Sequence, residues 1–271
     1  MTSAELQTAL RTGRRVYGTC VVSPSPLWPR AMAGAGVDFV FIDTEHIPIE
    51  RTQLAWMCQT YGALGLPPIV RVPEPDPYRA CMALDGGAAG VVFPYVESVS
   101  QVRELCGAVK LRPLKGERMQ RALAGDPLEP ELRDYLAKWN EGRMAIVNVE
   151  SVPAVERLEE ILGVPGLDAV LIGPHDLSLS MGIPERYRDP AFGETVVSII
   201  QKARARNIGA GLHYSFGIEE HIEWARKGAN LIVHSSDLVL ARDALAADMD
   251  RFRNSLGDTP DTARRSTAEA I

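Results

Sequence analysis

The chain has 271 residues, of which 46% are hydrophobic and 24% are charged, and its formal net charge is −6. These proportions are typical of a globular protein and exclude a disordered or fibrous chain. The acidic balance gives no general attraction to nucleic acid, and no apolar run reaches the roughly 18 residues of a membrane span, so we expect neither kind of partner.

Cysteine spacing and the first residues bear on the cell compartment. The four cysteines form no C-x-x-C motif and predict buried, reduced thiols; they are Cys20, Cys58, Cys81 and Cys106. Residues 1–15 carry acidic and polar side chains and lack the apolar stretch of a secretory signal. We therefore expect a cytoplasmic protein.

Eight short apolar runs alternate with longer amphipathic stretches. The runs are almost continuously hydrophobic, which is typical of strands covered on both faces. The predicted strands are residues 16–22, 38–42, 68–72, 90–93, 144–149, 169–172, 210–213 and 231–234. Helical spacing of apolar residues predicts helices over residues 52–64, 152–162, 192–206, 218–227 and 238–256.

Eight alternating units in a chain of this length predict an α/β fold, the (β/α)8 barrel. The alternative, a doubly wound sheet, usually has a glycine-rich turn after its first strand, and none follows Val22. We expect one barrel domain over residues 1–257, including the C-terminal helix, and a polar tail over residues 258–271.

The stretch over residues 110–142 is too long for an ordinary connection between elements. Its sequence predicts one short helix, over residues 131–139. One interpretation is a surface excursion or an oligomer contact. The other is a loop that lends Arg118 or Arg121 to a functional site.

Two carboxylates follow neighbouring predicted strands, at the end of the barrel where active sites lie. Glu150 follows the fifth strand and Asp176 follows the sixth. Hard oxygen ligands suit Mg²⁺, Mn²⁺ or a similar ion and leave positions open for a chelating substrate. The alternative is that each carboxylate caps the helix that it precedes. Taken jointly at the site end, the pair favours a metal.

Three further polar residues follow the second strand or lie at the end of the third. Asp43 and His46 are close enough in sequence to form a carboxylate–imidazole pair, a general base near neutral pH, or to be incidental charges in a turn. Arg71 lies in an apolar strand end and needs an anionic partner. Structural pairing with Asp43 or Glu45 and recognition of a substrate carboxylate or enolate are equally compatible with this spacing.

The lysines and the absent motifs disfavour several other mechanisms. All five lysines lie in predicted helices or loops, which disfavours a Schiff-base aldolase because that mechanism needs a buried lysine. The chain has no G-x-S-x-G nucleophile elbow and no P-loop.

Four segments stand together in an order and spacing that carry a resemblance. They are F-I-D-T-E-H at residues 41–46, V-R-V-P at 70–73, V-E at 149–150 and I-G-P-H-D-L-S at 172–178. Together they resemble the HpcH/HpaI family of metal-dependent (class II) pyruvate aldolases. The resemblance covers nearly the whole barrel.

The resemblance implies a (β/α)8 barrel of the phosphoenolpyruvate/pyruvate type and a homo-oligomer, a hexamer or trimer, often with the last helix exchanged between subunits. It implies a divalent metal (Mg²⁺, Mn²⁺ or Co²⁺) held by Glu150 and Asp176, a base at His46 assisted by Asp43, and enolate stabilisation by Arg71. The site residues that would bind substrate, besides Arg71, are Asn148, Gly173, Pro174 and His175.

The implied reaction is cleavage or formation of a 4-hydroxy-2-oxoacid, through a pyruvate enolate and an aldehyde. The chain departs from the family pattern at Asn148, where glutamine is usual, and at His175, where a small residue is usual. Strands seven and eight also end in polar residues, at 213–215 and 234–236. The alternatives are other enolate chemistry, such as oxaloacetate-type decarboxylation or citryl-CoA-lyase-like cleavage, and a non-catalytic barrel that binds an oxoacid.

Overall fold

A computed structural model describes residues 1–258 of the chain. Eight parallel strands close into a barrel in sequence order, β1 to β8, with helices between them. This confirms the predicted (β/α)8 barrel. The strands are β1 Val16–Cys20, β2 Phe39–Asp43, β3 Pro68–Arg71, β4 Gly90–Phe93, β5 Met144–Val149, β6 Leu167–Ile172, β7 Gly209–Tyr214 and β8 Leu231–Ser236.

The helices surround the barrel. They are α1 Ser3–Thr12, α2 Trp28–Gly34, α3 Arg51–Ala63, α4 Pro77–Asp85, α5 Val99–Lys110, α6 Gly116–Leu123, α7 Pro130–Trp139, α8 Val152–Glu156, α9 Leu158–Ile161, α10 Pro174–Ser180, α11 Pro190–Ala205, α12 Ile218–Arg226 and α13 Asp237–Leu256. Within residues 1–258, none of these helices is long and apolar enough to cross a membrane. The predicted tail lies outside the described residues, apart from Asp258.

Side chains alternate along each strand between two apolar cores. On β3, Ile69 belongs to the cluster inside the barrel and Val70 to the cluster between strands and helices. On β5, Ile146 faces inward and Val147 outward in the same way. Since the side-chain period of a strand is two, this alternation also decides which polar residues at the strand ends face the mouth of the barrel. All four cysteines are buried, as predicted.

The long excursion after α5 contains two helices, α6 and α7, of which the sequence predicted only the second. Arg118 forms an ion pair with Glu129, and Arg121 forms one with Asp126 at 2.7 Å. Both arginines are thus engaged within the excursion itself, which favours the interpretation as a surface feature or an oligomer contact.

A buried carboxylate ties the opposite end of the barrel together. Asp168, near the start of β6, is 1% exposed. Its carboxylate accepts from Lys110 Nζ at 2.6 Å, from Arg11 Nη2 at 2.9 Å and from Gln7 Nε2 at 2.8 Å. It also accepts from the backbone N–H of Ala145 on β5. One side chain therefore links α1, α5, β5 and β6.

We expect Asp168→Asn to lower the free energy of unfolding by about 3 kcal/mol, because it removes the charge that two cations share in a buried network. Urea denaturation measures the loss. Asp134→Asn is the matched control, since Asp134 is exposed and pairs with its neighbour Arg133. Equal stability of the two variants would contradict the role given to Asp168.

Candidate active site

Two neighbouring strands end in an ion pair at the mouth of the barrel. Asp43 on β2 and Arg71 on β3 are register partners, so both side chains face inward at the same level. Arg71 Nε donates to Asp43 Oδ1 at 2.9 Å, and Nη2 donates to Oδ2 at 2.6 Å. The structure therefore contains the ion pair between Arg71 and Asp43 that was one of the two interpretations of Arg71; the other, recognition of a substrate, stays a prediction. The ion pair occupies one edge of the guanidinium, and Nη1 has no partner within residues 1–258.

The pair is ionised despite being buried. Burial opposes the charge of Asp43, but the hydrogen bonds and charge of Arg71 outweigh it and lower the pKa of Asp43. Burial likewise opposes the charge of Arg71, and the bonds and charge of Asp43, with further charge from Glu45 and Glu150, raise the pKa of Arg71 above its usual value. A permanent cation is therefore fixed at the mouth of the barrel.

His46 lies beside Glu45. Its Nε2 is 3.7 Å from Glu45 Oε2, an ion-pair separation that is longer than a hydrogen bond. The same Glu45 oxygen lies 3.2 Å from Arg71 Nε. Asp43 accepts instead from Arg71 and from the backbone N–H of Glu45. The assistance of His46 by Asp43 stays a prediction, and Glu45 is a partner that sequence reasoning assigned only to Arg71.

Glu45 is poised between charges of both signs. Its side chain is 24% exposed. Burial raises the pKa of Glu45, Arg71 opposes the shift, and the charges of Asp43 and Asp176 add to it. The imidazole of His46 is more open, with 53% of the side chain exposed. The His46 imidazole is therefore accessible to a substrate, while the Glu45 carboxylate lies against Arg71.

Glu150 follows β5 and is held from two sides. It is 2% exposed, its Oε1 accepts from the backbone N–H of Tyr95 at 2.6 Å, and its Oε2 accepts from Asn148 Nδ2 at 2.8 Å. Tyr95 adopts a left-handed backbone conformation, with φ 48°, which costs about 1 kcal/mol or more and is typical of functional sites. Helix α8 is capped by Ser151 and not by Glu150. The capping alternative is therefore wrong for Glu150.

Asp176 lies in the first turn of α10, the helix that follows β6, and β6 is the strand that pairs with β5. The N-cap of that helix is Gly173 and Pro174 follows it, so Asp176 does not cap the helix either. Strands β5 and β6 pair up to Val149 and Ile172, which brings the two following segments to the same level. The charge of Asp176 is close enough to act on the carboxyl group of Glu150.

Burial raises the pKa of Glu150 to about 7. The hydrogen bond from Tyr95 and the charge of Arg71 oppose the shift, and the charge of Asp176 adds to it. A buried carboxylate with a second carboxylate nearby is a place that favours a proton or a cation. The raised pKa of Glu150 therefore supports a cation site.

Gly173 makes the room that this carboxylate occupies. A Cβ at position 173 would lie 2.2 Å from Glu150 Oε2, far inside contact distance. The backbone φ of Gly173 is −88°, so the requirement is for space and not for an unusual conformation. Glycine at this position thus allows a carboxylate to lie between the ends of β5 and β6.

The donor set fits a hard divalent ion with few protein ligands. Within residues 1–258, no group of three or more histidine, cysteine, aspartate or glutamate side chains is arranged to hold a metal. Glu150 and Asp176 would supply carboxylate oxygens, and the remaining positions would be left to water and substrate. The space at Gly173 and the raised pKa of Glu150 both agree with this arrangement.

We expect Gly173→Ala to weaken Mn²⁺ binding by about tenfold or more, because the added methyl group displaces Glu150. Isothermal titration calorimetry of the purified protein measures the affinity. Gly193→Ala is the matched control, since a Cβ there meets no atom within 4 Å. Unchanged Mn²⁺ affinity in Gly173→Ala would show that Glu150 is not a ligand.

Two of the residues predicted to bind substrate differ in position. Asn148 faces inward and is 1% exposed; its Nδ2 donates to Glu150, and its Oδ1 has no hydrogen-bond partner in the described part of the chain. His175 is open at the rim, and its Nδ1 lies 3.5 Å from Glu185 Oε1. The shorter amide of Asn148 thus supports Glu150, while His175 points to the loop that carries Glu185.

The alternation of side chains along the strands places the remaining histidines on different sides of the barrel wall. His213 on β7 faces into the barrel beside Phe41, with ring centroids 5.5 Å apart. His234 on β8 lines an outer depression together with His221 of α12. Only His213 of these three therefore belongs to the mouth.

A profile of the HpcH/HpaI aldolase/citrate lyase family matches residues 18–244. The chain belongs to this family. It is 29% identical over 259 residues to the 2-keto-3-deoxy-L-rhamnonate aldolase of Salmonella gallinarum, which covers 95% of each chain. This confirms the predicted family, and the aldolase relatives support the predicted class of enzyme, a class II carbon–carbon lyase. Class II aldolases of this family generally depend on a divalent metal.

Two solved structures extend the comparison. The HpcH/HpaI aldolase of Desulfitobacterium hafniense superposes with a TM-score of 0.81 at 25% identity, covering 94% of this chain and 99% of the other. The citrate synthase SbnG superposes with a TM-score of 0.79 at 29% identity, covering 93% and 99%. The chain is therefore similar both to a protein named as an aldolase and to one named as a citrate synthase.

Proposed function

We propose that the chain is a divalent-metal-dependent aldolase that cleaves or forms 4-hydroxy-2-oxoacids through a pyruvate enolate. The observation that carries the proposal is the buried Glu150 carboxylate, with its raised pKa, beside Asp176 and facing the fixed cation of Arg71. A small 2-oxoacid offers the matching groups, a carboxylate and a carbonyl oxygen on adjacent carbons. The products of cleavage are pyruvate and an aldehyde.

Glu150 and Asp176 would hold the metal, with Mg²⁺, Mn²⁺ and Co²⁺ as the candidate ions. When bound, the ion supplies Lewis-acid polarisation of the oxoacid carbonyl. Tyr95 and Asn148 fix the Glu150 carboxylate in place, and Gly173 with Pro174 shapes the neighbouring wall. These contacts hold the Glu150 carboxylate in position before a metal or substrate binds, which supports its proposed role as a ligand.

Arg71 stabilises the enolate oxygen. Asp43 and Glu45 engage the Nε side of the guanidinium, and Nη1 is left for the substrate. Negative charge develops on the C2 oxygen when the C3–C4 bond breaks, so a donor held there by Asp43 acts in the transition state without reorganisation. The aldehyde forms from C4 as its hydroxyl proton is lost.

His46 accepts that proton. It is the open imidazole at the mouth, and Glu45 beside it stabilises the imidazolium that forms. In the direction of aldol addition the same group returns the proton to the new hydroxyl. His175, at the rim, would contact the aldehyde half of the substrate.

The test is a pyruvate-release screen across 4-hydroxy-2-oxoacids of different chain length, on protein that has been treated with chelator and reloaded with Mg²⁺, Mn²⁺ or Co²⁺. We expect pyruvate from at least one substrate, only after metal is added back. Absence of pyruvate with every substrate and every metal would overturn the proposal and favour a non-catalytic barrel.

A second candidate is other enolate chemistry at the same residues, either oxaloacetate-type decarboxylation or citryl-CoA-lyase-like cleavage. The similarity to a protein named as a citrate synthase favours it, because citrate is not a 4-hydroxy-2-oxoacid. The same screen separates the candidates when oxaloacetate is included. Turnover of oxaloacetate without cleavage of any 4-hydroxy-2-oxoacid would favour the second candidate.

We also propose a homo-oligomer, a hexamer or trimer, in which α13 of one subunit covers the barrel of another. Among residues 1–258, α13 buries only its residues Asp237 and Val239, and its exposed apolar side chains include Leu245 and Phe252. Two adjoining depressions of about 420 and 460 Å³ remain along the outer face of β8 and β1, where Tyr17 is 50% exposed. Both the helix and the outer face of these strands expose apolar surface, which supports contact between them in the oligomer.

Sedimentation of Phe252→Glu tests this arrangement, with smaller species expected than for the wild type and for the control Leu64→Glu. Unchanged assembly would contradict it.

A cytoplasmic location is proposed from the four buried, reduced thiols and is tested by cell fractionation.

A further inference from the structure

One histidine in the mouth of the barrel has no role in the mechanism above. His213 faces inward from β7, and its ring packs on Phe41, over which the Arg71 guanidinium also lies at 5.7 Å. Arg71, Phe41 and His213 therefore form one wall of the mouth. The position is part of the polar strand end that departs from the family pattern.

The tautomer of His213 is set by its neighbour. Nε2 lies 3.1 Å from the backbone carbonyl oxygen of Ser235, which can only accept, so Nε2 carries the hydrogen. Ser235 adopts a left-handed conformation, with φ 53°, and is 3% exposed. The same carbonyl accepts from Thr19 Oγ1 at 3.5 Å. A strained, buried carbonyl thus fixes the orientation of the ring.

The other ring nitrogen is left as a hydrogen-bond acceptor. Nδ1 of His213 has no partner within residues 1–258, and unlike Nδ1 of His234 it is not sealed from solvent. Burial and the charge of Arg71 lower the pKa of His213 to about 4, so the ring is neutral at pH 7. The wall beside Arg71 therefore presents a lone pair and not a charge.

An acceptor at this place discriminates between oxoacids. In the proposed function Arg71 meets the oxygen on C2, and the carbons bonded to C2 are the carboxylate carbon and C3. A carboxylate has no hydrogen to donate, so a donor that reaches His213 belongs on C3. The methyl group of pyruvate would remove water from Nδ1 without replacing its hydrogen bond, which is unfavourable.

We propose that His213 is a specificity-determining residue that accepts a hydrogen bond from a hydroxyl group on C3, and that the chain prefers 3-hydroxy-2-oxoacids over pyruvate as the enolate component. This inference rests on the proposed function for the placement of the oxoacid. The simplest such compound is hydroxypyruvate. Loss of its C3 proton to His46 gives the enolate, as loss of a methyl proton to His46 gives the enolate of pyruvate, and His46 returns that proton to the new hydroxyl; the bonds made and broken are therefore the same.

The first measurement is the ratio of the dissociation constants of hydroxypyruvate and pyruvate, from calorimetry on the metal-loaded protein. We expect the wild type to favour hydroxypyruvate. In His213→Leu the preference should fall by about 10- to 100-fold, because the acceptor is gone. His213→Gln keeps an acceptor oxygen and should restore part of the preference. His221→Leu, in the outer depression, is the control and should keep the wild-type ratio.

The second measurement separates this inference from the proposed function. Exchange of C3 hydrogens in D₂O, followed by nuclear magnetic resonance, reports enolate formation without any aldehyde. No exchange with either oxoacid in the wild type would overturn the proposed function. Exchange with pyruvate, together with a ratio that is unchanged in His213→Leu, would overturn the role of His213. If the leucine variant does not fold, a wild type that binds pyruvate more tightly than hydroxypyruvate overturns it equally.

Discussion

Glu150→Gln is expected to reduce aldol cleavage by about 10³-fold, because it would exchange the charged carboxylate proposed to hold the metal for a neutral amide. The amide matches the carboxylate in shape, and one of its atoms can still meet Asn148 or Tyr95, so the fold should persist. Pyruvate release at saturating Mn²⁺ measures the loss. Glu159→Gln is the control, since Glu159 lies on α9 and pairs with Lys202 and Arg206.

The same carboxylate predicts how metal binding depends on pH. The pKa of Glu150 is raised to about 7 in the metal-free protein, so below pH 7 a proton must leave before the ion binds. The apparent dissociation constant for Mn²⁺ should rise about tenfold for each pH unit below 7 and level off above it. An affinity that does not change between pH 5 and pH 7 would contradict both the raised pKa and the assignment of Glu150.

Arg71→Lys is expected to lower kcat by about 10²- to 10³-fold with a smaller change in KM, since it removes a donor that acts mainly on the enolate oxygen. Lysine keeps the charge but not the planar fork that Asp43 holds by two hydrogen bonds. Steady-state kinetics and thermal melting should be measured together.

The matched control for Arg71 is Arg79→Lys. Arg79 pairs with Glu74 at 2.9 Å, and both side chains are exposed. Its kinetics should equal those of the wild type. A kcat in Arg71→Lys within a factor of two of the wild type would remove Arg71 from the reaction and leave only its ion pair with Asp43.

Strand positions could be predicted because a parallel strand that is buried on both faces appears in the sequence as a short, nearly continuous apolar run. The run 90–93 is apolar throughout, the run 144–149 is apolar except at Asn148, and they match β4 and β5 at both ends. Asp43, Arg71 and Glu150 could be placed at one end of the barrel because each ends or follows such a run. The continuous predicted helix over residues 152–162 is instead two short helices, which meet at Arg157.

What could not be predicted depends on contacts between distant segments. The spacing of Asp43 and His46 allowed a pair, which stays a prediction. The pairing of Asp43 with Arg71 across β2 and β3, and the place of Glu45 beside the imidazole, could be seen only in the fold. Whether Glu150 and Asp176 cap helices could be decided only from the backbone conformation, which puts Ser151 and Gly173 at the N-caps of α8 and α10. The tautomer of His213 depends on the carbonyl of Ser235, 22 residues away.

We propose that Glu150 and Asp176 share one divalent cation. Anomalous diffraction at the manganese edge, from crystals grown with Mn²⁺, would locate that ion. We predict one strong peak per subunit between these two carboxylates at the mouth of the barrel, which is lost in Glu150→Gln. A peak at other residues, or none at saturating Mn²⁺, would contradict the account.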